Sequence, residues 1–290
     1  MLPHLKIVPP KQAFYEWFGI SRSAHSQAKQ TVEYELERNE WVLKFVREKR
    51  NHHPNMGGKK LYDLLQKCPE WAKTEYKISR DRLFDLLRVN HLLVDVKRRA
   101  YRTTFSGKYR FCDLYNGQEI LGVQSVLVGD ITYIDLSEGC AYLSLLTDAY
   151  SRKIVGYCLY HSLGTEGCLR AFRMAMRNWV GETKGLIHHT DHGSQYTSKK
   201  YRKEIKKRKG KQSMGEVGNC YDNALAERMN GILKIEYNLD AVFATFAIAK
   251  QAVKEAIWLY NNERPHLALG YQTPNEVHEQ GIKQLRKLRN

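Results

Sequence analysis

Three acidic residues stand in contexts that suit one reaction centre. Asp130 lies inside the apolar run Val126-Leu127-Val128-Gly129-Asp130-Ile131-Thr132-Tyr133-Ile134, and Asp191 ends the run Leu186-Ile187-His188-His189-Thr190. Glu227 falls in the helical stretch Asp222 to Lys234, with thirty-five residues between it and Asp191. The segments predict two strand carboxylates on one sheet edge and one carboxylate from a helix packed nearby. Carboxylate oxygens suit Mg²⁺, a hard cation that keeps several waters. Two such ions about 4 Å apart activate an attacking oxygen and stabilise a leaving one, which is phosphoryl transfer. No covalent protein nucleophile is needed. Lys234 follows Glu227 by seven residues, about two turns, so the two share a helix face and the amine can hold a phosphate.

Other polar residues near these read differently. Asp135 is five residues beyond Asp130 on the same strand, an odd offset that turns it to the opposite face. Asp148 sits in a turn, where Asp is usually structural. Asp222 and Asn223 suit helix capping. His188, His189 and His192 read chiefly as structural, with a proton relay through His189 or His192 as the alternative.

The elements that must position the carboxylates follow from hydrophobic period and turn residues. Strands are expected at 125–134, 141–147 and 153–160, joined by short connections and therefore antiparallel. A helix over 165–179, a strand to His189, a helix over 198–208, a short strand near 212–214 and the Glu227 helix come next. This order predicts an α/β, ribonuclease-H-like mixed five-stranded sheet with flanking helices. Helical regions flank it on both sides. The expected domains are an N-terminal helical region (1–55), a helix-turn-helix-like region with basic linker (56–112), the catalytic core (120–237) and a C-terminal helical, basic region (238–290).

Composition narrows the partner. Lys and Arg outnumber Asp and Glu by 47 to 31, a net charge of +16. Such an excess favours a polyanion, nucleic acid before an anionic membrane. No apolar run approaches the ~20 residues that span a bilayer. The N-terminus lacks the apolar stretch of a secretion signal. The six cysteines are scattered without a CxxC pair, which argues for reduced thiols and against a structural zinc site. Candidate DNA contacts are Arg80 and Arg82 on a helix capped by Ser79, Arg98 and Arg99 in the acid-free segment 97–110, and Lys206 and Lys207. The last two belong to a run, 199–211, of nine basic residues and one acid. Phosphate contacts of this kind set affinity and salt dependence, not sequence preference.

Five motifs in order carry a resemblance. They are Asp130-Ile131-Thr132-Tyr133-Ile134, Asp148-Ala149-Tyr150-Ser151-Arg152-Lys153-Ile154-Val155-Gly156, Thr190-Asp191-His192-Gly193-Ser194-Gln195-Tyr196, Gly218-Asn219-Cys220-Tyr221-Asp222-Asn223-Ala224-Leu225-Ala226-Glu227, and Tyr260-Asn261-Asn262-Glu263-Arg264-Pro265-His266 with Gly270-Tyr271-Gln272-Thr273-Pro274. From about Gly19 to Glu279 the chain resembles bacterial insertion-sequence transposases of the DDE, or retroviral-integrase, superfamily. In particular it is similar to second-reading-frame products. Many relatives carry Trp where this chain has Leu127.

The resemblance implies Asp130, Asp191 and Glu227 as the catalytic, metal-binding triad and Lys234 as the contact to the transposon-end phosphate. It implies two Mg²⁺ ions, with Mn²⁺ able to substitute. The reaction would be nicking at the element's ends, then attack of the freed 3′-hydroxyl on another phosphodiester. Expected partners are the terminal inverted repeats and target DNA, further copies of this chain on DNA, and a first-frame helix-turn-helix protein. The expected location is the cytoplasm, on the nucleoid. The alternatives are a ribonuclease-H-like nuclease without strand transfer and a non-catalytic DNA-binding regulator.

Overall fold

The computed structural model describes residues 11–94, 109–116, 118–180, 183–215 and 224–288. The chain forms two compact units, one of Met1–Asn51 with Leu61–Leu93, the other of His52–Lys60 with Val94–Asn290.

The first unit is helical. It holds α1 (Lys11–Phe18), most of α2 (Arg22–His52) and α3 (Gly58–Gln66), then α4 (Pro69–Ala72) and α5 (Arg80–Val89). Val42, Phe45 and Val46 of α2 lie at helical spacing and are buried, as are Leu61, Leu65, Trp71, Leu83 and Leu87. Trp41 sets its ring 5.2 Å from that of Trp71. Ser79 caps α5 as expected, and Ser21 caps α2. The Ser21 hydroxyl accepts from the Ala24 amide at 3.0 Å, and the Ser79 hydroxyl from the Arg82 amide. The short α4 was not expected from sequence. A single turn carries no readable period, though Pro69 opens it in the position where proline is tolerated.

The second unit is built on β1 (Val126–Leu136), β2 (Gly139–Asp148), β3 (Ile154–Tyr160), β4 (Ile187–Thr190) and β5 (Lys211–Met214), in the spatial order β3-β2-β1-β4-β5. β1 pairs antiparallel with β2, from Leu127↔Asp148 to Leu136↔Gly139, and β2 pairs antiparallel with β3. β4 lies parallel to β1, with Gly129↔Thr190 as its last pair, and β5 lies parallel to β4. This is the ribonuclease-H-like mixed sheet expected from the strand order.

Alternate residues of β1 face opposite layers. Leu127 and Ile131 pack with α6 (Thr165–Arg177), α7 (Ser194–Thr197) and α8 (Lys199–Lys207). Ile134 packs with α9 (Ala224–Glu236) and α10 (Phe246–Asn262). The even positions of β1, Asp130 among them, therefore face α9. α8 buries only Tyr201 and Ile205, four residues apart. Its basic residues occupy the rest of the helix surface, and Arg202 lies 3.7 Å above the Tyr109 ring.

α11 (Pro274–Lys287) falls in the region expected to be helical and basic. Thr273 and Glu276 form a reciprocal capping box with Pro274 inside the first turn. A buried network ties this helix to the sheet. Asp148 accepts from the Ser151 amide and hydroxyl, each at 2.8 Å, and from the Gln124 amide at 2.7 Å, while Ser151 bonds His278 of α11 at 2.9 Å. Asp148 is thus structural, as its turn position suggested.

α6 lies unusually close to β3 because Gly156 has no side chain. A Cβ there would stand 2.2 Å from the Ala171 carbonyl oxygen. Gly156→Ala is expected to cost about 1–3 kcal/mol in denaturant unfolding, as an overpacked core does. Gly231→Ala, whose added Cβ meets nothing within 4 Å, should be neutral or stabilise by up to about 1 kcal/mol through helix propensity. Equal effects at the two positions would contradict this packing.

Candidate active site

Asp130 and Asp191 each follow the last paired residues of adjacent parallel strands, Gly129 and Thr190. Strand pairing alone therefore sets their carboxylates side by side at one sheet edge. Asp191 turns the chain immediately: its Oδ1 accepts the Gly193 amide at 3.1 Å. A Cβ on Gly193 would come within 2.9 Å of that same oxygen and of Gln195 Oε1, so a larger residue there would have to displace these side-chain ends.

α9 brings the third acid. Asn230, buried, donates its Nδ2 hydrogen to Asp130 Oδ2 at 2.6 Å and so fastens the helix to β1. Glu227 lies one turn before Asn230 and Lys234 about one turn after it, so all three share a face. The sequence reading missed Asn230. The available signal was its three-residue offset from Glu227, which puts a polar side chain on the face turned to β1.

Burial and neighbouring charge act together on Asp130. Burial pushes the Asp130 carboxyl up to about 7, and the neighbouring charges of Asp191 and Glu227 push in the same direction. The Ile131 amide and Asn230 work against this shift. Lys234 is half-buried, and burial lowers its pKa while Asp135, Asp240 and Asp130 oppose that change. Asp135, set aside above, thus lies within electrostatic reach of Lys234.

The donor chemistry fits a hard cation. Asp130, Asp191 and Glu227 offer only oxygens, and Asn230 Oδ1 is a further buried oxygen with no hydrogen-bond partner among the described residues. Among the described residues no three His, Cys, Asp or Glu side chains close on a single point tightly enough to hold a metal ion. The arrangement is two adjoining strand carboxylates, with Glu227 close enough to act on Asp130 electrostatically.

The histidines around Asp191 have structural partners. His188 is fully buried; burial lowers its pKa to about 4 and keeps it neutral. Its Nδ1 hydrogen is donated to the Leu127 carbonyl at 3.2 Å and its Nε2 accepts the Tyr201 hydroxyl at 2.8 Å. His189 bonds Ser213 of β5 at 2.9 Å. His192 donates from Nε2 to the Gly215 carbonyl at 2.6 Å.

The remaining candidates are scattered. Arg80 and Arg82 are exposed on α5, where Arg80 pairs with Asp81 at 3.2 Å and Arg82 with Glu35 of α2 at 2.6 Å. Lys206 and Lys207 are exposed on the last turn of α8. Arg98, Arg99, Asp222 and Asn223 lie outside the described residues.

The sheet order defines a ribonuclease-H-like mixed α/β fold. The Integrase core domain model matches residues 122–220, and a second model of the same description matches 208–274. The 31 kDa protein of insertion element IS600 from Shigella sonnei is 32% identical over 271 residues, 90% of this chain and 96% of that one. The transposase of insertion sequence element IS904 from Lactococcus lactis is 39% identical over 152 residues, 52% of this chain and 60% of that one. The transposase of IS629 from Shigella sonnei is 28% identical over 83% of this chain and 80% of its own length. The match to the IS904 protein thus spans less than two thirds of that relative. Among solved structures, the HTLV-2 integrase catalytic core domain in complex with magnesium is similar at 21% identity and a TM-score of 0.44, over 55% of this chain and 98% of that one. The chain belongs to the insertion-sequence transposases of the DDE/integrase superfamily. Among the described residues no helix is long and apolar enough to cross a membrane.

The raised Asp130 pKa has a signed consequence. Between about pH 4 and pH 7 the folded protein keeps a proton that the unfolded chain releases, so stability falls as pH rises and the contribution is gone above about 7. A rise from 3.8 to about 7 corresponds to at most about 4 kcal/mol at ~1.4 kcal/mol per unit. In chelator, Asp130→Asn should therefore gain stability over the wild type by a few kcal/mol between pH 4.5 and pH 8. The neutral histidines titrate alike in both proteins and cancel. A gap independent of pH would contradict the assignment.

Proposed function

We propose that the protein is a DNA transposase that nicks at the ends of its element and transfers the freed 3′-hydroxyl to a second phosphodiester. The observation that carries this reading is the side-by-side placement of Asp130 and Asp191, with Asn230 fastening the Glu227 helix against them.

In the first step water attacks the phosphorus at the element's end. One P–O bond forms, another breaks, and a 3′-hydroxyl is released. In the second step that hydroxyl attacks a phosphodiester and displaces its bridging oxygen, so the number of phosphodiester bonds is unchanged. Divalent cations, Mg²⁺ with Mn²⁺ as a substitute, would supply activation of the attacking oxygen and stabilisation of the leaving one when bound. Asp130, Asp191 and Glu227 would hold them, and binding would draw the Asp130 proton off at neutral pH. Asn230 orients the Asp130 carboxylate. Lys234, on the face of α9 that carries Glu227, holds the phosphate next to the reacting one.

The rest of the chain serves DNA. Arg80 and Arg82 in the 56–112 region, Arg98 and Arg99 in its linker, and Lys206 and Lys207 on α8 contact backbone phosphates. The substrates are terminal inverted repeats and target DNA. Joining two ends requires more than one copy of the chain, and a first-frame helix-turn-helix partner completes end recognition. The site of action is the nucleoid, in the cytoplasm.

The test is Mg²⁺-dependent cleavage and joining of DNA that carries the element's ends. Glu227→Gln is expected to lower both steps by about 10²–10³-fold, the scale on which loss of a transition-state charge contact acts, and to leave DNA affinity within about twofold. Nicking that survives the substitution would remove Glu227 from the mechanism. Binding without cleavage in the wild type, with or without the first-frame partner, would favour the regulator reading.

A further inference from the structure

The connection between α10 and α11 carries a second cluster of polar groups, separate from the carboxylates. Arg264-Pro265-His266 enters a tight turn closed by the His266 amide to the Gln272 carbonyl and the Tyr271 amide to the His266 carbonyl, each at 3.0 Å. His266 is only 4% exposed, and both its ring nitrogens are buried with no hydrogen-bond partner among the described residues. A buried polar ring left wholly unbonded is uncommon and calls for an explanation.

Cations surround it. Arg264, buried, forks onto Glu236 with two bonds of 2.8 Å, and Lys60 reaches the same carboxylate at 2.6 Å. The Tyr260 hydroxyl donates to the Arg152 carbonyl at 2.8 Å and touches the Met229 sulfur at 2.9 Å. These contacts bring the β2–β3 turn and α9 to the same place. The charges of Arg152, Arg228 and Arg264 act together on Tyr260 and on His266, and Arg228 and Arg264 also act on Lys60. Burial and these four cations lower the His266 pKa to about 4. Neither Arg152 nor Arg228 makes an ion pair among the described residues. Glu263, the other acid nearby, is bonded to His53 at 3.2 Å. Arg264 and Lys60 therefore share Glu236, and Arg152 and Arg228 add two cations that no ion pair among the described residues offsets.

Excess positive charge beside buried groups is unfavourable until an anion enters, and guanidinium forks match phosphate oxygens. Arg228 is exposed and Arg152 half-buried, which leaves entry on their side. Arg228 follows Glu227 directly, about 100° round the helix. We infer that Lys60, Arg152, Arg228, Arg264 and His266 form a phosphate pocket on the flank of α9, which seats a backbone phosphate of DNA beside the carboxylate site. The DNA occupant rests on the function proposed above; the anion pocket rests on its own charges.

Two arms test the pocket and its occupant apart. The full chain carrying Glu227→Gln is labelled in its histidine rings and titrated with inorganic phosphate, then with chloride at equal ionic strength. His266 is expected to shift saturably with phosphate and not with chloride. Arg152→Gln and Arg228→Gln, which break no ion pair, should each weaken phosphate binding about tenfold. Equal responses to the two salts, or phosphate affinity unchanged in both variants, would overturn the pocket. In the second arm a short duplex replaces phosphate. It should shift the same ring, and each Arg substitution should flatten the slope of log affinity against log salt by about 0.9. Phosphate binding with a ring that bound duplex leaves unmoved would overturn the DNA occupant. Failure of the duplex to bind at all would instead count against the proposed function, while the phosphate arm still decides the pocket.

Discussion

Like charges held together against their repulsion are the constraint on which this molecule is organised. Asp130 and Asp191 are forced into proximity because β1 and β4 run parallel and both end their pairing one residue earlier. Burial adds to the repulsion, and the proton on Asp130 becomes hard to remove. The backbone cannot relax this by sliding, since a one-residue slip would turn every β1 side chain to the other face. Strain of this kind is stable only where the rest of the fold supports it.

The support comes from buried polar contacts more than from shape. Asn230 binds Asp130 and so sets the height of α9 over the sheet. The far end of α9 is fixed by Glu236, which takes Arg264 and Lys60 together. Asn261 of α10 exchanges two bonds with the Ile154 backbone of β3, at 2.9 and 3.0 Å. Asp148, Ser151 and His278 hold α11. Removing one partner from such a pair leaves a buried charge or dipole unsatisfied, which costs more than the bond contributes. The C-terminal helices therefore belong to the same rigid framework as the carboxylates. This gives a physical reason for the Arg264-Pro265-His266 motif to lie so far along the chain from them.

Much of this was legible in the amino-acid sequence because strands and amphipathic helices have distinct periods. The apolar run 126–134 marked β1, and the Asp at the end of Leu186–Thr190 marked its parallel neighbour. What stayed hidden depends on tertiary contact. Asn230 reads as an ordinary helix polar residue until α9 is placed over Asp130. His188 and His189 read as structural from sequence, but their partners, Tyr201 and Ser213, show only in the fold. The start of α11 was hidden for a weaker reason. Thr273-Pro274-Asn275-Glu276 carries a full capping signal, but Gly270 and Pro274 together suggested only turns. Within the basic run 199–211, the narrow packing stripe of Tyr201 and Ile205 shows only in the fold.

The account's central claim is that Asp130 and Asp191 form a cation site that the fold builds and cannot itself neutralise. The most direct measurement is anomalous diffraction from crystals of the protein with an element-end DNA, soaked in Mn²⁺. The account predicts an anomalous peak in ligand contact with carboxylate oxygens of both Asp130 and Asp191, with Glu227 closing on the same centre. Mn²⁺ bound only elsewhere, with the two carboxylates sharing a proton beside the DNA end, would contradict it.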